Sequence, residues 1–227
     1  MRIYDHVHVD WAVAGPNDPG YKYGGSFYGD CWESLFAATV PPEPPFDTIY
    51  EYPFYDITGA CAGVMYQNPQ WGNWRQTFHE LWKKLGCKIR PYADYGNKIG
   101  IMIRSDVHGG EQLSGRSQPL EEYAQAIEAI KDIDQVVIVS SDIQSIYWMQ
   151  ERLGTKYWTL FNPEIKRNLG RSDPEQHINT PQTKEDAIAV VREIVSLATC
   201  KAMVHPASNM ATAALYINPN LQSIYLK

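Results

Sequence analysis

The stretch IGIMIRSDVHGGEQLSGRSQPLEEYAQAIEAI (Ile99–Ile130) joins a short apolar segment, a polar loop and an amphipathic segment. Ile99–Ile103 has the length and apolar character of a buried strand. Pro119–Lys131 follows the helical period instead. The residues between them include arginine, aspartate, histidine, two glycines and glutamate. The stretch therefore predicts a strand, a loop and a helix, with polar chemistry starting where the strand ends.

The same alternation continues toward the C-terminus. Further strands are predicted at Gln135–Ser140, Tyr157–Phe161, Ala202–Val204 and Ser223–Leu226. Further helices are predicted at Ile143–Leu153, Lys184–Thr199 and Asn209–Ile217. Apolar strands that alternate with helices indicate an α/β protein with a parallel sheet covered on both faces. We therefore predict a Rossmann-type domain over residues 91–227.

Residues 1–90 have a different character and predict a reduced, irregular N-terminal region. Glycine, proline and aromatic residues are frequent there, as in VPPEPPFDTIYEYPFYDITG. The exception is the segment 71–86, which predicts an amphipathic helix capped by Gly86. Its apolar residues at helical spacing are Trp74, Phe78, Leu81, Trp82 and Leu85. The aromatic residues of this region suit either sugar rings in an acceptor site or the core of a small domain.

Composition excludes several classes of function. The 227 residues carry a net charge of −6 and contain no lysine or arginine run, so no nucleic-acid partner is expected. No apolar run reaches 18 residues, so no membrane span is expected. The four cysteines are far apart and lack metal-ligand spacing, which favours reduced thiols and a cytoplasmic location.

Polar residues follow three of the predicted strands. Because ligands of open parallel sheets bind beyond the carboxyl ends of the strands, these residues are the candidate site. The first cluster is Arg104, Asp106, His108, Gly109, Gly110 and Glu111; the second is Ser140, Ser141 and Asp142; the third is His205, Pro206, Ala207, Ser208 and Asn209. The third cluster opens a helix, where free N–H groups favour an anion such as a diphosphate.

Each cluster also has a purely structural interpretation. Arg104 suits phosphate oxygens but equally suits a surface ion pair. Ser140, Ser141 and Asp142 match the base or ribose of a nucleotide, and they also match a helix cap. Ser208 and Asn209 are typical of any helix start. His108 and His205 are expected to be hydrogen-bonded structural histidines, not catalytic ones.

Several segments together resemble the GDP-fucose-dependent fucosyltransferases of the nodulation, α1,6 and protein O-linked groups. They are IGIMIRSD, QPLEEYAQAI and KAMVHPASNMATAALYI, with WRQTFHELWKKLGCKIRP, HVHVDWAVAG and SFYGDCWESLF farther upstream. The resemblance implies the GT-B fold, with nucleotide binding in the C-terminal part. The family's glycine-rich turn precedes its Asp-Trp strand, whereas this chain starts close to Trp11. We therefore expect an N-terminally truncated relative, either a fragment or a natural minimal form with an eroded acceptor domain.

The resemblance also implies a reaction. Arg104, with Asp106 nearby, and Ser208 with Asn209 would bind the diphosphate of a GDP-sugar, and Glu111 would be the base of an inverting transfer to a glycan or other hydroxyl acceptor. No metal or other cofactor is expected, because the arginine and the helix N-terminus stabilise the charge that grows on the diphosphate. The competing class is a non-catalytic relative that binds a nucleotide, a glycan or a partner protein.

Two motifs point elsewhere. His6 and His8 form an HxH pattern found in metal-dependent hydrolases, but the later histidines lack supporting spacing. Asp132-Ile133-Asp134 is a DxD sequence of the kind that holds a metal in other glycosyltransferases. It lies between a predicted helix and a predicted strand, at the sheet edge opposite the expected site, and favours a polar turn.

Overall fold

The computed structural model describes residues 35–37, 66, 68–104, 118–133, 135–140, 142–154, 158–160 and 184–226. Its helices are α1 Trp71–Leu85, α2 Leu120–Glu128, α3 Ile143–Leu153, α4 Lys184–Ala198 and α5 Asn209–Ile217. Its strands are β1 Ile99–Ile103, β2 Gln135–Ser140, β3 Trp158–Leu160, β4 Ala202–His205 and β5 Gln222–Tyr225. Every one of these elements was predicted from the sequence, and the α/β alternation is confirmed.

The described strands form one sheet of five parallel strands in the order β3-β2-β1-β4-β5. All five residues of β1 are buried, because helices cover both faces of a parallel sheet. The chain builds outward from β1 to β3, then crosses back to place β4 on the other side of β1. The strand order therefore reverses between β1 and β4, which is the topological switch point of an open α/β sheet.

Alternate residues of each strand enter two separate cores, as the two-residue period requires. Ile101 lies in the core shared with α2 and α3, whereas Met102 lies in the core on the opposite face. Gly100 also faces that second core. A Cβ atom at Gly100 would lie 2.7 Å from Leu197 Cδ2, so only glycine allows α4 to approach the sheet this closely.

The helix α1 belongs to the second core. Trp71 is buried there, and Arg75 donates to the carbonyl oxygens of Leu215, Asn218 and Leu221 at 3.1, 2.9 and 2.7 Å. His79 is hydrogen-bonded to the Ile217 carbonyl. The contact with α5 and the residues after it therefore includes polar side chains that hydrogen-bond carbonyl oxygens left without partners at the helix end.

The face of α1 turned toward α5 differs in part from the predicted apolar face. Trp74, Phe78 and Leu81 are 37%, 43% and 47% exposed, although Phe78 stacks on Tyr216 at 4.3 Å between ring centroids. The spacing of apolar residues alone does not identify the side of α1 that contacts α5, because the polar residues Arg75 and His79 take part in that contact. The predicted cap is confirmed: Gly86 has a φ of 63° and ends the helix in the left-handed conformation.

Candidate functional site

Arg104 is the first residue beyond β1, at the carboxyl edge of the sheet. It is half-buried, and its backbone N–H donates to the Tyr123 hydroxyl at 3.4 Å. Tyr123 belongs to α2 and is fully buried under the sheet. The first backbone N–H after β1 is therefore hydrogen-bonded by a side chain of α2.

The turn between β4 and α5 lies at the same edge. Ser208 is the N-cap of α5, with extended backbone angles, and it is 3% exposed. Its carbonyl accepts hydrogen bonds from the Thr212 N–H, the Thr212 hydroxyl and the Tyr66 hydroxyl at 2.9, 2.9 and 3.2 Å. Its own hydroxyl makes no capping bond, and no group in the described part of the chain hydrogen-bonds it. A buried hydroxyl without a hydrogen-bond partner is unfavourable, because it has lost its hydrogen bonds to water.

The register of the sheet brings these two strand ends together. The parallel pairing of β1 with β4 runs as far as Ile101 and Val204, so Arg104 and the turn after β4 follow the carboxyl ends of neighbouring strands. Neighbouring strands lie about 4.8 Å apart. Arg104, the buried Ser208 hydroxyl and the first N–H groups of the nine-residue helix α5 therefore follow the two strands on either side of the switch point. That set of groups favours an anion.

The end of β2, beside Arg104, is a fully formed helix cap. The Asp142 carboxylate accepts from the Gln144 and Ser145 N–H groups at 3.1 and 3.2 Å and from the Ser145 hydroxyl. The Asp142 N–H in turn donates to the Ser140 hydroxyl at 3.1 Å. The capping interpretation is confirmed for Asp142. A further role of Ser140 and Asp142 toward a base or ribose stays a prediction.

Other candidates fall outside the described residues. Asp106, Glu111 and Ser141 do so entirely, as do His108, His6 and His8, and of Asn209 only the backbone is described. The structure therefore places Arg104, Ser140, Asp142 and Ser208 at one edge. The base role of Glu111 and the metal site suggested by His6 and His8 stay predictions.

His205 closes β4 and is structural, as predicted. Its Nδ1 lies 2.9 Å from the Pro206 carbonyl and its Nε2 lies 2.7 Å from the Ser223 hydroxyl. Because a carbonyl only accepts, Nδ1 carries the proton and Nε2 accepts from Ser223. Burial lowers the pKa of His205 to about 4, so the ring is neutral at physiological pH.

The described part of the DxD sequence, Asp132 and Ile133, lies outside helix and strand, as the predicted polar turn requires. Asp132 has a φ of 61°, a left-handed conformation that aspartate tolerates, and it lies between α2 and β2 at the amino edge of the sheet. Asp134 is outside the described residues. Within the described ranges, no group of three or more histidine, cysteine, aspartate or glutamate residues has the arrangement of a metal site.

Sequence reasoning missed two tyrosines at this edge. Tyr123 fits the apolar period of α2, so nothing in the sequence distinguishes it from a core residue. Tyr66 lies in an aromatic-rich segment without a clear period. Its ring packs against Trp71, His205 and Tyr225, with centroids about 5 Å apart. Only the fold brings Tyr66 to the start of α5.

The sheet order and the polar edge define a Rossmann-like α/β protein. In comparisons with known proteins, no protein-family model and no curated protein matches the chain. Among the helices that the structure describes, none has both the length and the apolar character needed to cross a bilayer.

Proposed function

We propose that the protein is a GT-B-type glycosyltransferase that binds a nucleoside-diphosphate sugar, with GDP-fucose favoured, between the ends of β1 and β4. One observation carries the proposal: the Ser208 hydroxyl at the start of α5 is buried and has no hydrogen-bond partner among the described residues, and Ser208 follows the strand next to the one that Arg104 follows. The resemblance of IGIMIRSD and KAMVHPASNMATAALYI to fucosyltransferases adds the class of reaction.

The site supplies what a departing diphosphate needs. The guanidinium of Arg104 presents two donors in a fork that matches phosphate oxygens. The Ser208 hydroxyl and the first N–H groups of α5 add neutral donors from the other side. Negative charge grows on the diphosphate as the glycosidic bond breaks. These hydrogen-bonding groups therefore bind the transition state more strongly than they bind the intact nucleotide sugar.

The proposed transfer inverts the anomeric carbon in one displacement. An acceptor hydroxyl oxygen attacks that carbon, the bond to the diphosphate oxygen breaks, and the bond electrons leave with the nucleoside diphosphate. The hydroxyl proton passes to a carboxylate, for which Glu111 is the candidate. Residues 1–90 would contribute to the binding of the acceptor. The segment Ser140–Asp142, at the end of β2, would bind the base or ribose of the nucleotide. The reaction as proposed needs no metal, because Arg104 and the helix N-terminus stabilise the leaving charge.

The first test is calorimetric titration of the chain with GDP, with UDP as the comparison. Arg104→Ala should weaken GDP binding by about tenfold or more, since a charge-assisted hydrogen bond is worth about 1.5–3 kcal/mol. The matched control is Arg152→Ala, which removes the same charge from an exposed ion pair with Glu121 and Glu128 on α2.

The control variant should bind GDP within twofold of the unmodified chain. Equal weakening in both variants would indicate a nonspecific charge effect and would contradict the assigned site. Absence of GDP binding by the folded chain would overturn the donor proposal. Binding without fucose transfer to any hydroxyl acceptor would favour the non-catalytic alternative.

A further inference from the structure

The start of α5 is held by a tyrosine from outside the sheet. The Tyr66 hydroxyl lies 3.2 Å from the Ser208 carbonyl and 2.5 Å from the Thr212 hydroxyl, which itself donates to that carbonyl. Each hydroxyl has one proton, so Thr212 donates to the carbonyl while Tyr66 shares its proton between the Thr212 oxygen and the carbonyl. These bonds are more than an N-cap residue requires, since the Thr212 N–H already satisfies the helix. The extra bonds fix the orientation of the peptide that carries Ser208.

The Tyr66 ring is itself firmly placed. It packs edge-on against Trp71 of α1 and His205 of β4, with Tyr225 of β5 beside it. Burial raises the pKa of Tyr66, so its hydroxyl stays a donor at neutral pH. Because three different elements locate the ring, the hydroxyl is a fixed point for the β4–α5 turn.

A second tyrosine, Tyr123 of α2, holds the end of the other strand, β1. Tyr123 is fully buried among residues of the first core, including Ile103 and Ile127. Its hydroxyl accepts a hydrogen bond from the Arg104 N–H, the first backbone N–H beyond β1. It therefore sets the point at which Arg104 leaves the sheet.

From this arrangement we infer that Tyr66 and Tyr123 are positioning residues that hold the two sides of the anion site, one acting through Ser208 and the other through Arg104. The inference rests on the proposed function and names residues that touch no ligand. It also gives the region before α1 a part in the site, because Tyr66 precedes Trp71 in the chain. Preorganised donors are the ones that bind a phosphate without a reorganisation penalty.

The test compares Tyr66→Phe and Tyr123→Phe with two matched controls. Tyr95→Phe and Tyr147→Phe each remove a tyrosine hydroxyl for which the described residues provide no hydrogen bond, Tyr95 being 8% and Tyr147 52% exposed. Affinities for GDP and guanosine are measured by calorimetry on all four variants. If the tyrosines position the phosphate donors, each of the first two variants weakens GDP by about fivefold, the value of one hydrogen bond, and guanosine by less than twofold.

The ratio of the two affinities separates positioning from general loosening. A merely structural role would weaken GDP and guanosine together, and that result would overturn the inference, as would unchanged GDP binding in both variants. An equal loss of GDP affinity in the control variants would also overturn the inference.

Inorganic pyrophosphate is the second probe, because it can occupy an anion site without base or sugar. A chain that binds pyrophosphate but not GDP contradicts the proposed donor, and the pyrophosphate affinities of the four variants then decide the role of the tyrosines. A chain that binds neither probe overturns both proposals.

Discussion

Replacement of Ser208 by alanine should leave the fold as stable as before while weakening anion binding. Serine at an N-cap is ordinarily worth about 0.5–2 kcal/mol over alanine, because its oxygen accepts a helix N–H. The Ser208 hydroxyl makes no such bond, although the residue is only 3% exposed. Because no described residue hydrogen-bonds this hydroxyl, its removal relieves a desolvation penalty of about 1–3 kcal/mol, offset by the small cavity that remains.

The same protein contains the comparison for this prediction. Asp142 caps α3 with both carboxylate oxygens engaged, and Ser145 donates its hydroxyl to that carboxylate. Asp142→Ala should therefore lower the free energy of unfolding by about 1–3 kcal/mol, and Ser145→Ala by about 1 kcal/mol. Ser208→Ala should change it by less than about 0.5 kcal/mol, or raise it.

Urea denaturation of the four proteins measures these differences, and GDP titration supplies the second half of the test. If the Ser208 hydroxyl is reserved for a phosphate, its loss should weaken GDP binding by about tenfold, whereas the control variant Arg152→Ala should not change it. A loss of stability in Ser208→Ala as large as that in Asp142→Ala would show that the hydroxyl has a structural partner. Unchanged GDP affinity would refute its assignment to the site.

Three further predictions concern the framework around the site. Gly100→Ala should destabilise the fold by about 1–3 kcal/mol in a denaturation experiment, because the new methyl group would lie 2.7 Å from Leu197; retention of full stability would mean that α4 can move away. His205, whose pKa is lowered to about 4 from an ordinary value near 6.5, binds fewer protons in the folded than in the unfolded state. Stability should thus fall as the pH drops from about 6.5 to about 4, by up to about 3 kcal/mol, and the fall should be smaller in His205→Gln; equal pH profiles would contradict this. Arg75→Leu should lose about 2–4 kcal/mol by leaving three carbonyls at the end of α5 without their donor, and Arg75→Lys should recover part of that loss; an unaffected melting temperature in Arg75→Leu would refute the role of this contact.

Most of the architecture follows from the sequence because the strands are buried on both faces. Ile99–Ile103 and Gln135–Ser140 consist almost wholly of apolar residues, and the helices between them keep a clear period, so type and order can be predicted. The parallel arrangement follows from the alternation. The placement of β4 beside β1 cannot be inferred from local periods, since it depends on which long-range pairing buries most surface.

The site could be predicted only in part, for a related reason. Arg104 and Ser208 are detectable because each follows a strand, and the strand-end rule needs no tertiary information. Tyr66 and Tyr123 are not, because their function lies in single hydroxyl groups on otherwise apolar side chains. Conversely, Asp142 resembles a ligand group in the sequence, and only its three short-range partners reveal a cap. A polar residue at a strand end is thus a candidate until its hydrogen bonds are counted.

The contact between Arg75 and the end of α5 also bears on how the chain folds as it is synthesised. Arg75 and Leu215 are 140 residues apart in sequence, so the ribosome makes α1 long before its partner helix exists. Until residues near Leu221 emerge, Arg75 lacks its three carbonyl acceptors, Trp71 lacks its contact with Tyr216, and β1 lacks its neighbour β4. Such late, long-range contacts slow folding and leave apolar surface open in the meantime. We therefore expect nascent chains stalled before residue 215 to be bound by chaperones through α1, and full-length chains to be released once β4, α5 and β5 have formed.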